Sequence, residues 1–274
     1  MNFPLAAFLG ILQGITEFFP ISSSGHLLLA EHFFDLDVEN LKAFDVVLHA
    51  GTLLALLVLF WREWVGMAVG SWQLAVGRLN EKNRESLQLL GKLAVVTIPA
   101  AFVGLLFGDW IDTTTRGENR VFLVAGFFIL VAILLLAAEK FGRKNSEKVG
   151  WRNVVGMGIF QALALLPGIS RSGATIAAGM LGGLSRSAAA KFSFLMLAPV
   201  TLGATILISK KVCAGELTLP PLEFTLVGFA VSAVSSFLFA SLLLKFVKKY
   251  SLVWFAVYLI LAAVVVLIFT NFWI

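Results

Sequence analysis

The chain has 274 residues, 59% of them hydrophobic and 14% charged, with a formal net charge of +5. So few charges cannot cover a soluble surface, and the composition points to a membrane protein. The positive charge sits in loops between apolar runs, which excludes a nucleic-acid partner; the lone Cys213 excludes an intrachain disulfide or a cysteine-held metal.

The opening segment, 1–13, has no basic start and no small-residue cleavage site, so it is expected to remain part of the fold. The apolar stretch 3–30 is interrupted by Pro20 and by Ser22-Ser23-Ser24-Gly25. Neither half reaches the ~20 residues that cross a ~30 Å hydrocarbon core, so a re-entrant helix–loop–helix hairpin is expected. Full spans are expected at 44–60, 87–108 and 120–138, with an interfacial helix over 63–77. The stretch 154–183 is broken by Pro167-Gly168 and Ser170-Arg171-Ser172-Gly173 and is expected to form a second re-entrant hairpin. Spans at 192–208, 222–244 and 252–273 complete the chain. The fold class is therefore a single all-α polytopic membrane domain, 1–274, with six transmembrane helices and two re-entrant hairpins.

Loop charge sets the sides. Arg62, Arg78, Lys82, Arg84 and Lys92 lie in one loop region, Lys140, Arg143, Lys144, Lys148 and Arg152 in a second, and Lys245, Lys248 and Lys249 in a third. All three are expected on the cytoplasmic side. Glu31, Asp35, Asp37 and Glu39 make the segment after the first hairpin acidic and outer, whereas Lys210 and Lys211 stand against the rule on the outer side. On this count the first hairpin enters from outside and the second from the cytoplasm. Residues 1–138 and 150–274, each a hairpin plus three spans, then form an inverted-topology repeat with a site between the halves.

The sequence carries the same repeat. Gly10-Ile-Leu-Gln13 through Ser22-Ser23-Ser24-Gly25 returns as Gly158-Ile-Phe-Gln161 through Ser170-Arg171-Ser172-Gly173. The copies differ where chemistry would differ: one holds Glu17 and His26, the other Arg171 and Thr175. The serine-rich tips put hydroxyls and backbone N–H groups at the start of a following half-helix, which suits an anion such as phosphate. Ser22, Ser24, Ser170, Ser172, Gly173 and Thr175 are the candidate binding residues. Equally, small residues at these places cap and pack half-helices. Arg171 in a broken apolar segment is costly unless it functions, and its planar fork fits phosphate oxygens. Gln13 and Glu17 share a helix face. Glu17 can bind a divalent cation, act as a general base or pair with Arg171. His26 can relay protons or simply pack, and His49, inside a span near Asp45, reads as structural. There is no zinc-type spacing, so only a hard ion, Mg²⁺ or Ca²⁺, shared with the substrate, is suggested, with Glu17 as its ligand.

Gln13-Gly-Ile-Thr-Glu17-Phe-Phe-Pro-Ile-Ser-Ser-Ser-Gly-His26 and Pro167-Gly-Ile-Ser-Arg-Ser-Gly-Ala-Thr175 resemble the two motifs of the bacterial undecaprenyl-diphosphate phosphatases, the bacitracin-resistance type. The resemblance covers essentially the whole chain. It implies a multi-pass enzyme of the bacterial inner membrane that hydrolyses a polyprenyl diphosphate lipid to the monophosphate and inorganic phosphate. It also implies a divalent cation and a site open to the periplasm. By matching position, Glu17, Ser23, His26 and Arg171 are the catalytic residues, with Ser170, Ser172 and Thr175 in support. Many members carry Glu where this chain has Gln13, which removes one anionic oxygen from a metal site. The type-2 phosphatidic acid phosphatases share Ser-Gly-His, but Ala177 and Leu181 fill their required His and Asp positions. A lipid-phosphate flippase of the same architecture is the alternative function. The chain leaves open whether Ser23 or a metal-bound water attacks, with Ser23 favoured, and whether a homodimer forms.

Overall fold

The computed structural model describes residues 1–34, 36, 38–115, 120–142 and 145–273. Asp35, Asp37, Arg143 and Lys144, counted above in the loop charges, lie outside the described residues, as do the side chains of Glu39 and Lys82. The described residues form eleven helices: α1 (Phe3–Phe18), α2 (Ser23–Phe33), α3 (Val38–Leu59), α4 (Trp61–Ala75), α5 (Glu81–Thr115), α6 (Arg120–Phe141), α7 (Trp151–Leu163), α8 (Arg171–Leu181), α9 (Arg186–Cys213), α10 (Leu222–Lys249) and α11 (Val253–Trp273). The protein is all-helical and multi-pass. Leu41–Leu59, Asn83–Gly108, Val121–Phe141, Arg186–Cys213 and Leu222–Lys249 are each long and apolar enough to cross a bilayer, and α11 is apolar over Val253–Phe269. Large side chains stay uncovered along these helices, among them Leu105 and Val234 at 71% and 70% exposure. Lipid is the medium that would cover such a surface.

Each motif region folds as helix, break, helix. Asn2 accepts the Leu5 N–H and starts α1, which stops at Phe18 before Pro20. Ser22 then caps α2 by accepting the Gly25 N–H at 3.2 Å. In the second region α7 ends at Leu163, Gly168 turns the chain at φ +101°, and Ser170 caps α8 by accepting the Gly173 N–H at 3.0 Å. The break in each region is thus written by Pro, Gly and a capping Ser. Glu31, expected in an acidic outer loop, instead lies on α2 and is 2% exposed, because α2 continues to Phe33.

α1 packs along α10 and α7 along α5; α10 also packs on α3 and α5 on α9. α3 packs on α9, and α6 on α11. Exchanging α1 with α7, α3 with α9, α5 with α10 and α6 with α11 leaves these pairings unchanged. Glycines at matching places make the approach: a Cβ on Gly10 would lie 2.9 Å from the Gly228 carbonyl of α10, and one on Gly158 would lie 3.0 Å from the Val96 carbonyl of α5, while a Cβ on Gly14 would collide with Ser235 of α10. The short helices α1, α2, α7 and α8 pack on the long ones, and the tips of the two broken regions meet.

Candidate active site

The two tips are bonded to each other. Ser24 Oγ accepts the Gly168 N–H at 3.3 Å, and the Ser172 hydroxyl donates to the Phe19 carbonyl at 3.1 Å. Arg171 makes the third link. Its Nη2 donates to Glu17 Oε1 at 2.8 Å and its Nη1 to the Ser193 carbonyl of α9 at 2.7 Å. The guanidinium is therefore anchored on two elements, and its remaining N–H groups stay available, since the group has five.

Glu17 is 5% exposed and surrounded by donors. Its Oε2 accepts from the Ser23 hydroxyl at 2.6 Å and from Gln13 Nε2 at 3.0 Å, and His49 Nε2 lies 3.4 Å away. A buried carboxylate needs such compensation, because an unpaired charge in an apolar interior is costly. The short Ser23 contact also places a base directly on a hydroxyl oxygen, the arrangement that activates a serine nucleophile. Beside these groups lies a cavity of about 270 Å³, lined by Glu17, Ser23, Ser24, His49, Ser170, Arg171 and Ser172 together with apolar side chains of α9 and of the break between α7 and α8.

The remaining candidates fall elsewhere. Ser22 is the cap of α2, the Gly173 N–H is taken by Ser170, and Thr175 is buried, donating to the Arg171 carbonyl at 2.7 Å and bonded to Ser193 Oγ at 2.7 Å. His26 follows Ser23 by three residues on α2, yet its ring turns to the other side of the tip. Its Nδ1–H donates to the Ser22 carbonyl at 2.7 Å and its Nε2 is bonded to the Tyr258 hydroxyl of α11 at 2.7 Å. Ser22 is a non-glycine residue at φ +76°, and the ring meets its carbonyl one helical turn back. His26 and Tyr258 line a separate apolar groove of about 1060 Å³ between α1, α10 and α11. His49, which the sequence leaves among packing residues, comes to the Glu17 carboxylate and lines the cavity. Besides the Asp45 carbonyl one helical turn back, it meets Glu17 of α1, and no local spacing signals that second contact.

The donor set does not fit a cation held by the protein alone. Among the described residues no three His, Cys, Asp or Glu side chains converge as a metal site. Both Glu17 oxygens are occupied by N–H and O–H donors, and Gln13 turns its amide nitrogen to Glu17, leaving its Oε1 buried without a partner.

Residues 6–265 match the family described as "Bacitracin resistance protein BacA". The chain belongs to this family. It is 43% identical over 256 residues to the undecaprenyl-diphosphatase of Rubrobacter xylanophilus, covering 92% of this chain and 93% of that one. It is 41% identical over 265 residues to the undecaprenyl-diphosphatase of Magnetococcus marinus, covering 95% and 96%. The undecaprenyl-diphosphatase of Gemmatimonas aurantiaca is also 41% identical, over 263 residues. In this BacA family member the polar groups of the two tips converge on one cavity.

Proposed function

We propose that the protein is an undecaprenyl-diphosphate phosphatase, a membrane hydrolase that converts undecaprenyl diphosphate to undecaprenyl phosphate and inorganic phosphate. Such hydrolysis recycles the lipid carrier of cell-wall synthesis and accounts for bacitracin resistance. The observation that carries this reading is the Ser23–Glu17–Arg171 chain, with contacts of 2.6 and 2.8 Å at the wall of one cavity.

The terminal phosphate enters that cavity with its oxygens on the free Arg171 N–H groups and the tip hydroxyls of Ser24, Ser170 and Ser172. Ser23 Oγ attacks the terminal phosphorus and its proton passes to Glu17. The bond from phosphorus to the bridging oxygen breaks, and undecaprenyl phosphate leaves with that oxygen. Water then attacks the phosphoserine, returning its proton to the serine oxygen through Glu17 and releasing inorganic phosphate. His26 acts from behind: with Tyr258 it holds the Ser22 carbonyl and so the strained backbone that aims Ser23. Ser22, Gly173 and Thr175 serve the caps and packing of the same tips. A divalent cation, Mg²⁺ or Ca²⁺, would neutralise phosphoryl charge when bound; Glu17, and more weakly Gln13, are the side chains that would share it with the substrate.

The architecture we infer has six spans and two re-entrant hairpins in inverted repeats, 1–138 and 150–274. The reciprocal helix packing and the matching glycines Gly10 and Gly158 support it. With the basic loops in the cytoplasm, the protein lies in the bacterial inner membrane and the cavity, between α3 and the outer half of α9, opens to the periplasm. A lipid-phosphate flippase of this architecture would need the Arg171 clamp but not a base bonded to Ser23. Purified protein in detergent should release phosphate from farnesyl or undecaprenyl diphosphate, and EDTA should suppress it. Binding of the lipid without phosphate release would favour the flippase.

A further inference from the structure

Glu17 meets Arg171 through one oxygen only. Arg–carboxylate pairs favour the two-pronged arrangement, in which both carboxylate oxygens lie on the guanidinium fork. Here one Arg171 nitrogen is spent on the Ser193 carbonyl, and Glu17 Oε2 points away to Ser23. Something must keep Oε2 on the Ser23 side, and three groups face it: Gln13, Ser23 itself and His49. Gln13 stands on the same helix as Glu17 and moves with it. His49 stands on another element and is fixed independently. Its Nδ1 lies 2.8 Å from the Asp45 carbonyl, which can only accept, so Nδ1 carries a hydrogen and the ring plane is set; the imidazolium carries its second hydrogen on Nε2. Its Nε2 then faces Glu17 Oε2 at 3.4 Å.

The helix behind this ring is itself pinned. A Cβ on Gly51 would lie 2.5 Å from the Phe229 carbonyl of α10, and Thr52 Oγ1 is bonded to Ser236 Oγ at 3.0 Å. α3 therefore presents His49 from a rigid base. His49 also lines the cavity, with 29% of its side chain exposed, but it is Glu17 and not Ser23 that its ring nitrogen meets.

We propose that His49 is a positioning residue for the hydrolytic reaction: it holds Glu17 Oε2 against the Ser23 hydroxyl and keeps the carboxylate from rotating onto Arg171. This rests on the Ser23–Glu17 reading above. Without His49 the fork can draw both oxygens, and Ser23 loses its base while the anion clamp and substrate pocket stay intact. The loss should therefore appear in kcat and not in KM.

The test uses full-length protein in detergent, farnesyl diphosphate as substrate and phosphate release as readout. His49→Leu, which fills the space without a donor, should lower kcat roughly 10- to 100-fold with KM within about threefold, the range typical of groups that orient a functional side chain. His49→Gln, whose amide N–H can reach Glu17, should recover to within about fivefold of the parent. In a Glu17→Gln background, His49→Leu should cost nothing more, because the two act as one unit. Parent-like kcat in His49→Leu, or a full additional loss in the Glu17→Gln background, overturns the proposal, as does a loss confined to KM. Ser23→Ala is measured beside them. If it keeps parent activity, the nucleophile reading fails; if it is inactive while His49→Leu is not, only the role of His49 fails.

Discussion

At the scale of residues, the carboxylate of Glu17 divides its oxygens between a clamp and a base. Arg171 is the point where this division can be tested without removing charge. Lysine keeps the charge but cannot bridge Ser193, Glu17 and a phosphate oxygen at once. Arg171→Lys should cost about 2–4 kcal/mol of transition-state stabilisation, two to three orders of magnitude in rate. Activity within threefold of the parent, at unchanged thermal stability, would remove Arg171 from the site. Tyr258→Phe should be milder than His26→Ala. The phenylalanine loses one hydroxyl bond to the ring, worth about 1 kcal/mol, while alanine also releases the Ser22 carbonyl. The two turnover numbers compared side by side decide it; equal losses would make Tyr258 as important as His26. Glu17 and Arg171 stand out in the sequence because ionisable residues in broken apolar segments are rare and costly, and Ser23 because it lies in the serine run that opens α2, one residue after the cap. The orientation of His26 was not. An i, i+3 spacing suggests one face, but the ring is bonded to Tyr258, a partner 232 residues away that no local pattern announces.

At the scale of elements, the breaks in the two motif regions were readable from Pro20, Pro167, Gly168 and the capping serines, and α2 and α8 begin close to where those residues put them. What the sequence did not show is how closely α1 and α10 approach. Gly14 is one of several glycines in an apolar run, and only the backbone of α10 beside it gives it meaning. Gly14→Ala should lower stability by about 1–3 kcal/mol through overpacking, and lower turnover too, because α1 carries Glu17. Thermal unfolding in detergent checks this; a parent-like midpoint would show that α10 yields freely. The contact of His49 with Glu17 was likewise hidden, since it depends on how α3 is rotated against α1.

For the whole molecule, the loop charges and the reciprocal packing lead to one arrangement in the membrane. Single cysteines at Ser146 and Glu216, in a Cys213→Ser background, should respond oppositely to an impermeant thiol reagent on intact cells. Position 216 should label and position 146 should not. The reverse pattern would place Lys245, Lys248 and Lys249 outside and invert the site. Labelling of both from one side would break the inverted repeat, because α9 would then not cross.

The account turns on Ser23 as the atom that attacks phosphorus. The most direct measurement is turnover of undecaprenyl diphosphate by folded Ser23→Ala, combined with rapid quench of the parent enzyme on substrate labelled in its terminal phosphate. The account predicts near-background phosphate release from the variant and transient label on Ser23 of the parent. A Ser23→Ala enzyme that keeps a tenth or more of its turnover would contradict it and leave Ser23 as a hydroxyl that only binds the anion.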